Sequence, residues 1–281
     1  MSSTPLPTTA HQRTAPRQPP RMPSELDDYV RFCEGVQDLA GIDLLQYKRG
    51  QMERRLRTFA QRAGILDLTD YLVLLRRDPA ELDRFLDRVT INVSQLWRNP
   101  EQWVALGREV IPQLAAERRI RVWSAGCSYG AECYTTAAVC LEHAPQARVE
   151  VKGTDIDARV LARARTGVFS EEDARSAPPE SLGRWFERTD EGWQAKPELR
   201  EVVSFDRGNL LSMQVPTQEY DLVMCRNVVI YFTEDVRDKL HARLAASLRS
   251  GGFLVVGSTE RISAAGDIGL TLTRPFIYRK A

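Results

Sequence analysis

The chain has 281 residues and a nearly balanced charge, with 39 lysine and arginine side chains against 38 aspartate and glutamate side chains. This length suits two domains with substantial cores, and the balance excludes an overall attraction to nucleic acid or another polyanion. The five cysteines form no Cys-x-x-Cys pair, the three histidines are scattered and no apolar run is long enough for a membrane helix, so we expect free thiols in the cytoplasm, no metal site and no membrane insertion.

Residues 1–23 are predicted to be a disordered tail. They hold six of the 15 prolines and three arginines but no acidic residue. The prolines exclude the amphipathic helix of an organellar transit peptide. The segment also has too little apolar surface to offset the entropy that ordering would cost.

Residues 24–90 are predicted to form a small all-α domain. The first helix has an N-cap and acidic first turn within residues 24–27, starting at Ser24, buries residues at spacings of three and four, and ends at Gly41. Further helices are predicted over residues 46–63, 71–75 and 80–89, the last one following Pro79.

The second predicted helix is strongly basic. Only Glu53 offsets its six cations, which are Lys48, Arg49, Arg54, Arg55, Arg57 and Arg62. A solvated charged face is the ordinary explanation of such a run. A cluster this one-sided in a near-neutral chain favours docking to an acidic partner instead, and we expect Arg54, Arg55 and Arg62 to make the contacts.

Residues 91–119 are predicted to be a linker followed by a helix. Pro100 disfavours a helical conformation in the residue just before it, so we expect Arg98 not to lie in the middle of a helix. The helix then runs from about residue 101 to 117.

Residues 120–134 predict a buried strand, a turn bracketed by Gly126 and Gly130, and a helix. A nucleotide-binding α/β sheet begins in this way, because glycine lets the backbone approach a ligand. The G-x-x-x-G spacing differs from the dinucleotide fingerprint. It favours a ligand with no phosphate at the turn, such as S-adenosylmethionine, although packing alone would also explain the two glycines.

The remaining chain continues an α/β pattern through residue 281. A strand over residues 148–155 ends at Asp155, where doubly wound folds bind ribose hydroxyls, and a helix over residues 158–164 follows. Residues 168–200 are too long for an ordinary connection and predict an inserted subdomain. Strands follow at residues 202–205, 220–232 and 253–256, with Arg226 and Asn227 interrupting the second of them. A helix over residues 234–248 precedes the last of these strands, and residues 270–278 predict a closing antiparallel pair.

Several motifs fall into one register along this pattern. They are Asn92-x-Ser94-x-x-x-Arg98, Trp123-Ser-Ala-x-x-Ser-x-Gly130-x-Glu132-x-Tyr134, Thr154-Asp155-Ile-Asp157, Asn209-Leu-Leu211, Cys225-Arg-Asn-Val-x-Ile-Tyr-Phe232 and Gly257-Ser-x-Glu260. Together they resemble the CheR family of chemotaxis-receptor methyltransferases over residues 25–280. The resemblance implies an all-α domain followed by a Rossmann-like, S-adenosylmethionine-dependent methyltransferase sheet with a small inserted β-subdomain.

The resemblance also implies an activity, the methylation of glutamate side chains on the helical cytoplasmic domains of chemoreceptors. It implies cofactor contacts from nine residues: Asn92, Ser94, Arg98, Glu132, Asp155, Asn209, Leu210, Arg226 and Asn227. Glu132 would accept hydrogen bonds from the amino group of the methionine moiety, and Asp155 from the ribose. We expect Arg98 and Tyr231 to orient the acceptor carboxylate.

The glycine turn departs from the family pattern. Ala131 and Cys133 stand where the family has Glu and Pro, and Tyr129, bulkier than the usual Thr, is expected to crowd the pocket. These changes motivate an alternative, a scaffold that binds the cofactor but transfers methyl poorly. A third reading, methylation of a small molecule or nucleic acid, fits the sheet but does not explain the basic helix or the absence of a broader basic surface.

The inserted segment bears on how a receptor would be recognised. In the CheR family a glycine-containing extra loop there goes with binding a peptide at the receptor's C-terminus, and residues 186–193 leave no room for that loop. We therefore expect the receptor to be recognised without such a tether. We also expect the protein to be a monomer.

Overall fold

A computed structural model describes residues 27–90 and 92–281, as a helical domain joined to an α/β domain. The predicted tail and the predicted N-cap Ser24 lie outside these residues. Within them, no helix combines the length and the apolar character that crossing a membrane requires.

The helical domain consists of α1 (Asp28–Ala40), α2 (Arg49–Arg62), α3 (Leu68–Arg77) and α4 (Pro79–Val89). Aspartate side chains accept backbone N–H bonds at the starts of α1, α3 and α4, which satisfies donors that the helix itself leaves unpaired. The core is aromatic, with the Phe85 ring 5.8 Å from Phe32 and 6.1 Å from Tyr71. The four predicted helices are confirmed, the third being longer at both ends than its pattern indicated.

A helical rod leads into the α/β domain. It runs through α5 (Pro100–Ala105), a π-helical turn (Leu106–Val110), α6 (Ile111–Leu114) and a 3₁₀ turn (Ala115–Glu117). Arg98 lies in the turn before this rod, as the position of Pro100 predicted.

Ten strands follow: β1 (Arg119–Ala125), β2 (Arg148–Asp155), β3 (Val168–Phe169), β4 (Phe186–Thr189), β5 (Gly192–Ala195), β6 (Val203–Arg207), β7 (Tyr220–Cys225), β8 (Leu248–Val256), β9 (Leu270–Arg274) and β10 (Ile277–Lys280). The helices between them are α7 (Ala131–His143), α8 (Ala158–Thr166), α9 (Glu171–Ala174), α10 (Pro179–Trp185), α11 (Pro197–Val202) and α12 (Glu234–Ser247).

Seven strands form the main sheet in the order β6-β2-β1-β7-β8-β10-β9. The first five run parallel, and the predicted closing pair, β9 and β10, is antiparallel. The strand order reverses beside β1, so the chain leaves β1 and β7 in opposite directions. The crevice at their carboxyl ends is where open α/β sheets bind ligands.

The inserted subdomain is a three-stranded sheet, β3-β5-β4. A two-residue turn, residues 190–191, joins β4 to β5. Aromatic contacts hold the subdomain to the rest of the chain, with Phe186 lying 6.2 Å from Trp97 and Phe169 lying 5.5 Å from Tyr134 of α7. The predicted fold class is confirmed in all three of its parts.

The start of the last predicted parallel strand is wrong. The strand was expected to begin at Phe253, but β8 begins at Leu248, directly after α12 ends at Ser247. Leu248 pairs with Tyr220 of β7 and is fully buried. This pairing across the sheet extends the strand through Gly251 and Gly252.

Two sets of contacts join the domains. Tyr47, just before α2, forms an isolated antiparallel bridge with Phe232, and their rings lie 5.0 Å apart in a T-shaped arrangement. On the other side, Arg159 of α8 forms ion pairs with Asp83 at 3.4 Å and Asp87 at 3.0 Å, both on α4. The helical domain therefore lies across the carboxyl ends of the strands.

Candidate functional site

The space between the helical domain and the carboxyl ends of β1, β2 and β7 forms a cleft that we call the inner cavity. About 1130 Å³ of space lies between its walls, its open mouth included. The structure brings together in its lining all ten residues predicted to bind the cofactor or act on the substrate: Asn92, Ser94, Arg98, Glu132, Asp155, Asn209, Leu210, Arg226, Asn227 and Tyr231.

Glu132 lies in the first turn of α7, where a negative charge is favoured by the helix dipole. One carboxylate oxygen accepts a hydrogen bond from the Ser124 hydroxyl at 2.8 Å, and the other pairs with Arg226 at 3.2 Å. The side chain is 11% exposed. These contacts hold the carboxylate at the cavity wall, in a position to accept hydrogen bonds from a ligand cation.

Arg226 is almost wholly occupied by protein partners. Its Nε donates to Gln102 at 2.8 Å, and one Nη donates to the Arg98 carbonyl at 2.6 Å and to Asn99 at 3.1 Å. Its side chain is 2% exposed. Arg226 therefore holds Glu132 and the Arg98 turn in place, and it offers a ligand few free donors of its own.

Asp155 ends β2 and points into the same cavity. Its carboxylate accepts the backbone N–H of Ser128 at 2.8 Å and that of Asp157 at 3.1 Å. Burial raises the pKa of Asp155, and the two N–H bonds oppose that rise. A carboxylate with remaining lone pairs at this place can accept hydroxyl donors such as those of a ribose.

The two glycines of the turn have different surroundings. Both have positive φ, 82° at Gly126 and 87° at Gly130. A Cβ on Gly126 would lie 2.5 Å from Val228, and one on Gly130 would lie 2.9 Å from Phe205. Gly126 lines the inner cavity and Gly130 does not. Gly130 is therefore a packing glycine, and the expectation that it makes room for a ligand is wrong.

Tyr129 does not crowd the pocket, contrary to expectation. It is buried, its hydroxyl bonds to Asp173 at 2.8 Å and to the Ser94 carbonyl, and it lies outside the cavity lining. The Arg163 guanidinium carbon lies 3.9 Å from its ring centroid. Burial and the Asp173 carboxylate raise the pKa of Tyr129. The Tyr129 side chain therefore points toward the inserted subdomain, where its partner Asp173 lies on α9.

Arg98 and Tyr231 both line the inner cavity. Arg98 lies between two residues of positive φ, Trp97 at 52° and Asn99 at 59°, and donates to the Val93 carbonyl at 2.9 Å. Tyr231 ends a 3₁₀ turn (Val229–Tyr231). Their assignment as substrate-orienting residues stays a prediction.

Asn92 and Asn209 support the rim. The Asn92 amide donates to Asp157 at 3.3 Å, and its oxygen accepts from Ser128 at 3.4 Å, which ties the linker to the glycine turn. The Asn209 oxygen caps the N–H of Leu211 at 2.9 Å. Leu210, beside it, is buried and supplies an apolar wall.

The sequence analysis did not assign two residues that support the site. Glu260 is buried and accepts the backbone N–H groups of Gly257 and Asn227, the latter at 3.0 Å. Its other oxygen has no partner among the described residues, and burial raises the pKa of Glu260. Gln102 bonds Arg226. Glu260 belongs to a recognised motif, whereas no sequence signal marks Gln102.

The basic residues of α2 differ in whether they have ion-pair partners. Arg49 pairs with Glu53 at 3.1 Å and with Asp27, and Arg57 pairs with Asp28 at 2.9 Å and with Glu53 at 2.8 Å. The expectation that Glu53 alone offsets them is therefore wrong, because the start of α1 packs beside α2.

The three predicted docking residues also differ. Arg54 and Arg62 are exposed and have no ion-pair partner in the part of the chain that the structure describes. Arg55 is half-buried and donates to the Arg88 carbonyl, and burial lowers its pKa.

Two family models match the chain. The model described as "CheR methyltransferase, SAM binding domain" matches residues 92–271, and the one described as "CheR methyltransferase, all-alpha domain" matches residues 27–90.

Full-length relatives match as well. A "Chemotaxis protein methyltransferase" of Listeria monocytogenes is 33% identical over 255 residues, covering 90% of this chain and 97% of that protein. The protein of the same name from Borreliella burgdorferi is 30% identical over 268 residues, covering 90% and 94%. "Chemotaxis protein methyltransferase 1" of Vibrio cholerae is 30% identical over 251 residues, covering 85% and 91%.

Proposed function

This chain belongs to the CheR methyltransferase family, and we propose that it methylates glutamate side chains on the cytoplasmic helices of chemoreceptors. S-adenosylmethionine is the methyl donor. The products are a glutamate methyl ester and S-adenosylhomocysteine. We place the protein in the cytoplasm because its proposed substrate is a cytoplasmic helix. We propose that it acts as a monomer.

The convergence of the predicted residues on the inner cavity carries this proposal. Glu132 is placed to accept hydrogen bonds from the ammonium group of the methionine moiety, and Asp155 to accept them from the ribose hydroxyls. Leu210 is placed to cover the face of the adenine ring. When bound, S-adenosylmethionine supplies a methyl group on a positively charged sulfur.

The residues of the chain then have to place an acceptor. A glutamate carboxylate is already ionised near neutral pH, so no general base is required. Arg98 orients the carboxylate by charge-assisted hydrogen bonds and Tyr231 by its hydroxyl. The rate gain comes from positioning and from removing water around the nucleophile.

The alternative of a catalytically weak scaffold loses support from the packing of the turn. Ala131 and Cys133, the substitutions that motivate it, are both fully buried and lie outside the lining of the inner cavity. They change what packs behind the turn and leave Glu132 at the cavity wall.

Receptor recognition is proposed to use α2 and no tethering peptide. Arg54 and Arg62, which have no ion-pair partner within residues 27–90 and 92–281, offer positive charge to an acidic helix. The two-residue turn between β4 and β5 lacks the extra loop that goes with tether binding in the family. Deleting the C-terminal tail of the cognate receptor should therefore leave the methylation rate nearly unchanged, and a clear drop would contradict this part of the proposal.

The decisive experiment incubates the protein with methyl-labelled S-adenosylmethionine and a chemoreceptor cytoplasmic fragment. Label should enter the fragment as a base-labile ester and should be lost when the receptor glutamates are replaced by alanine. Cofactor binding by calorimetry without any label transfer would favour the scaffold, and transfer to base-stable products would indicate another substrate class.

A further inference from the structure

A second cavity adjoins the inner cavity on the side of α2, and we call it the outer cavity. Its described lining consists of Tyr47, Lys48, Gln51, Met52, Arg54, Arg55 and Tyr231. Two of these residues, Tyr47 and Tyr231, also line the inner cavity. The two tyrosines therefore stand at the boundary between the two spaces, one contributed by each domain.

Backbone contacts between the domains fix the separation of the two tyrosines. The Lys48 N–H donates to the Tyr231 carbonyl at 2.9 Å, and the Thr233 N–H donates to the Gln46 carbonyl at 2.9 Å. The Tyr47 ring packs against Phe232, the residue after Tyr231. Neither domain alone defines this gap.

The two cavities differ in charge. The outer cavity is lined by three cations, Lys48, Arg54 and Arg55, and by no carboxylate among the described residues. The inner cavity has three carboxylates in its wall, Asp43, Glu132 and Asp155, and two cations, Arg98 and Arg226, the latter paired with Glu132. The outer cavity therefore favours an anion, and the inner cavity offers carboxylates to a cationic sulfonium donor and Arg98 to an acceptor carboxylate that passes inward.

We propose that the outer cavity is the entry path of the acceptor glutamate, and that Tyr47 is a residue of the helical domain that positions its carboxylate against Tyr231. This inference rests on the proposed function and adds to it a path and a residue. In the reaction, a carboxylate oxygen forms a bond to the methyl carbon as the carbon–sulfur bond breaks. The bonding electron pair goes to sulfur, and no proton moves. Burial raises the pKa of Tyr47 to about 12, so its hydroxyl stays a hydrogen-bond donor to an anion.

A chemical block of the outer cavity tests the path. All five native cysteines are buried, so a new thiol at exposed Gln51 can be labelled selectively with N-ethylmaleimide. Labelled Gln51→Cys should lose about tenfold or more in kcat at saturating receptor fragment, with S-adenosylhomocysteine affinity within about twofold of wild type. Labelled Gln61→Cys, exposed on the same helix outside both cavities, is the matched control and should keep its kcat.

Substitution tests the residue. Tyr47→Phe keeps the ring on Phe232 and removes the hydroxyl, and we expect about a fivefold fall in kcat/KM for the receptor fragment with unchanged cofactor affinity. Tyr29→Phe, in the core of the helical domain and outside both cavities, should behave as wild type.

The outcomes separate the two proposals. If the wild type methylates glutamate and labelled Gln51→Cys does so with the same kcat, the proposed path is wrong. If Tyr47→Phe loses only cofactor affinity, or loses nothing, the proposed role of Tyr47 is wrong. Absence of glutamate methylation by the wild-type protein would instead overturn the proposed function.

Discussion

The two sides of the site handle charge in opposite ways. At the carboxyl ends of the strands, Arg226 and Glu132 are buried and paired, with side-chain exposures of 2% and 11%. On α2, Arg54 and Arg62 are exposed and have no ion-pair partner among the described residues. Buried pairs fix geometry and resist salt, whereas exposed charges attract a partner weakly and are screened by salt. This difference fits the roles proposed above, a cofactor site on one side and a protein-docking surface on the other.

The largest expected effect breaks the buried side. Arg226→Ala leaves Glu132 without its cation, and we expect the free energy of unfolding to fall by about 3–5 kcal/mol in denaturant titrations. The double variant Arg226→Met with Glu132→Gln removes both charges and should recover most of that loss. A single variant within about 1 kcal/mol of wild type would show that the pair does not organise the site.

The next effect concerns cofactor affinity. Glu132→Ala and Asp155→Ala should each weaken S-adenosylhomocysteine binding by about 10- to 100-fold in calorimetry, because each removes a charge-assisted hydrogen bond. Asp206→Ala, an aspartate 63% exposed on β6, is the control and should bind as wild type. Unchanged affinity in both test variants would refute the assignment of the cofactor site.

A smaller effect separates chemistry from binding at Tyr231. Tyr231→Phe should lower kcat about tenfold while cofactor affinity stays within about twofold, since the hydroxyl is proposed to act on the acceptor alone. Single-turnover kinetics would measure the chemical step directly. A variant as fast as wild type would remove Tyr231 from the mechanism.

The smallest effects sharpen the α2 side. Arg54→Glu or Arg62→Glu should raise the receptor KM a few-fold, and added salt should do the same to the wild type, because exposed charges are screened over about 8–10 Å at physiological ionic strength. Arg77→Glu, exposed on α3, is the control. Arg55→Glu should also raise the KM, but its half-buried position adds a stability cost. A receptor KM that does not change with salt would indicate that the basic face of α2 is only a solvated surface.

The fold class was predictable from the sequence, and so were ten of the residues that line the inner cavity. Helical spacing, strand composition and turn residues are local signals, so they predict secondary structure without knowledge of the tertiary structure. The family motifs follow strand ends, and strand ends in a parallel sheet meet at one edge. That is why Asp155 of one strand and Asn227 after another were correctly expected in one place.

The contacts of each of these residues could not be predicted without the folded structure. The Arg226–Gln102 bond joins residues 124 positions apart. Tyr129 turns away from the cavity because the fold brings Asp173, 44 positions along the chain, within hydrogen-bonding distance of its hydroxyl. Asp27 and Asp28 neutralise part of α2 only because α1 packs beside it. Burial and pairing depend on which distant segments the fold brings together, and Tyr47 and Tyr231 line the same two cavities for the same reason.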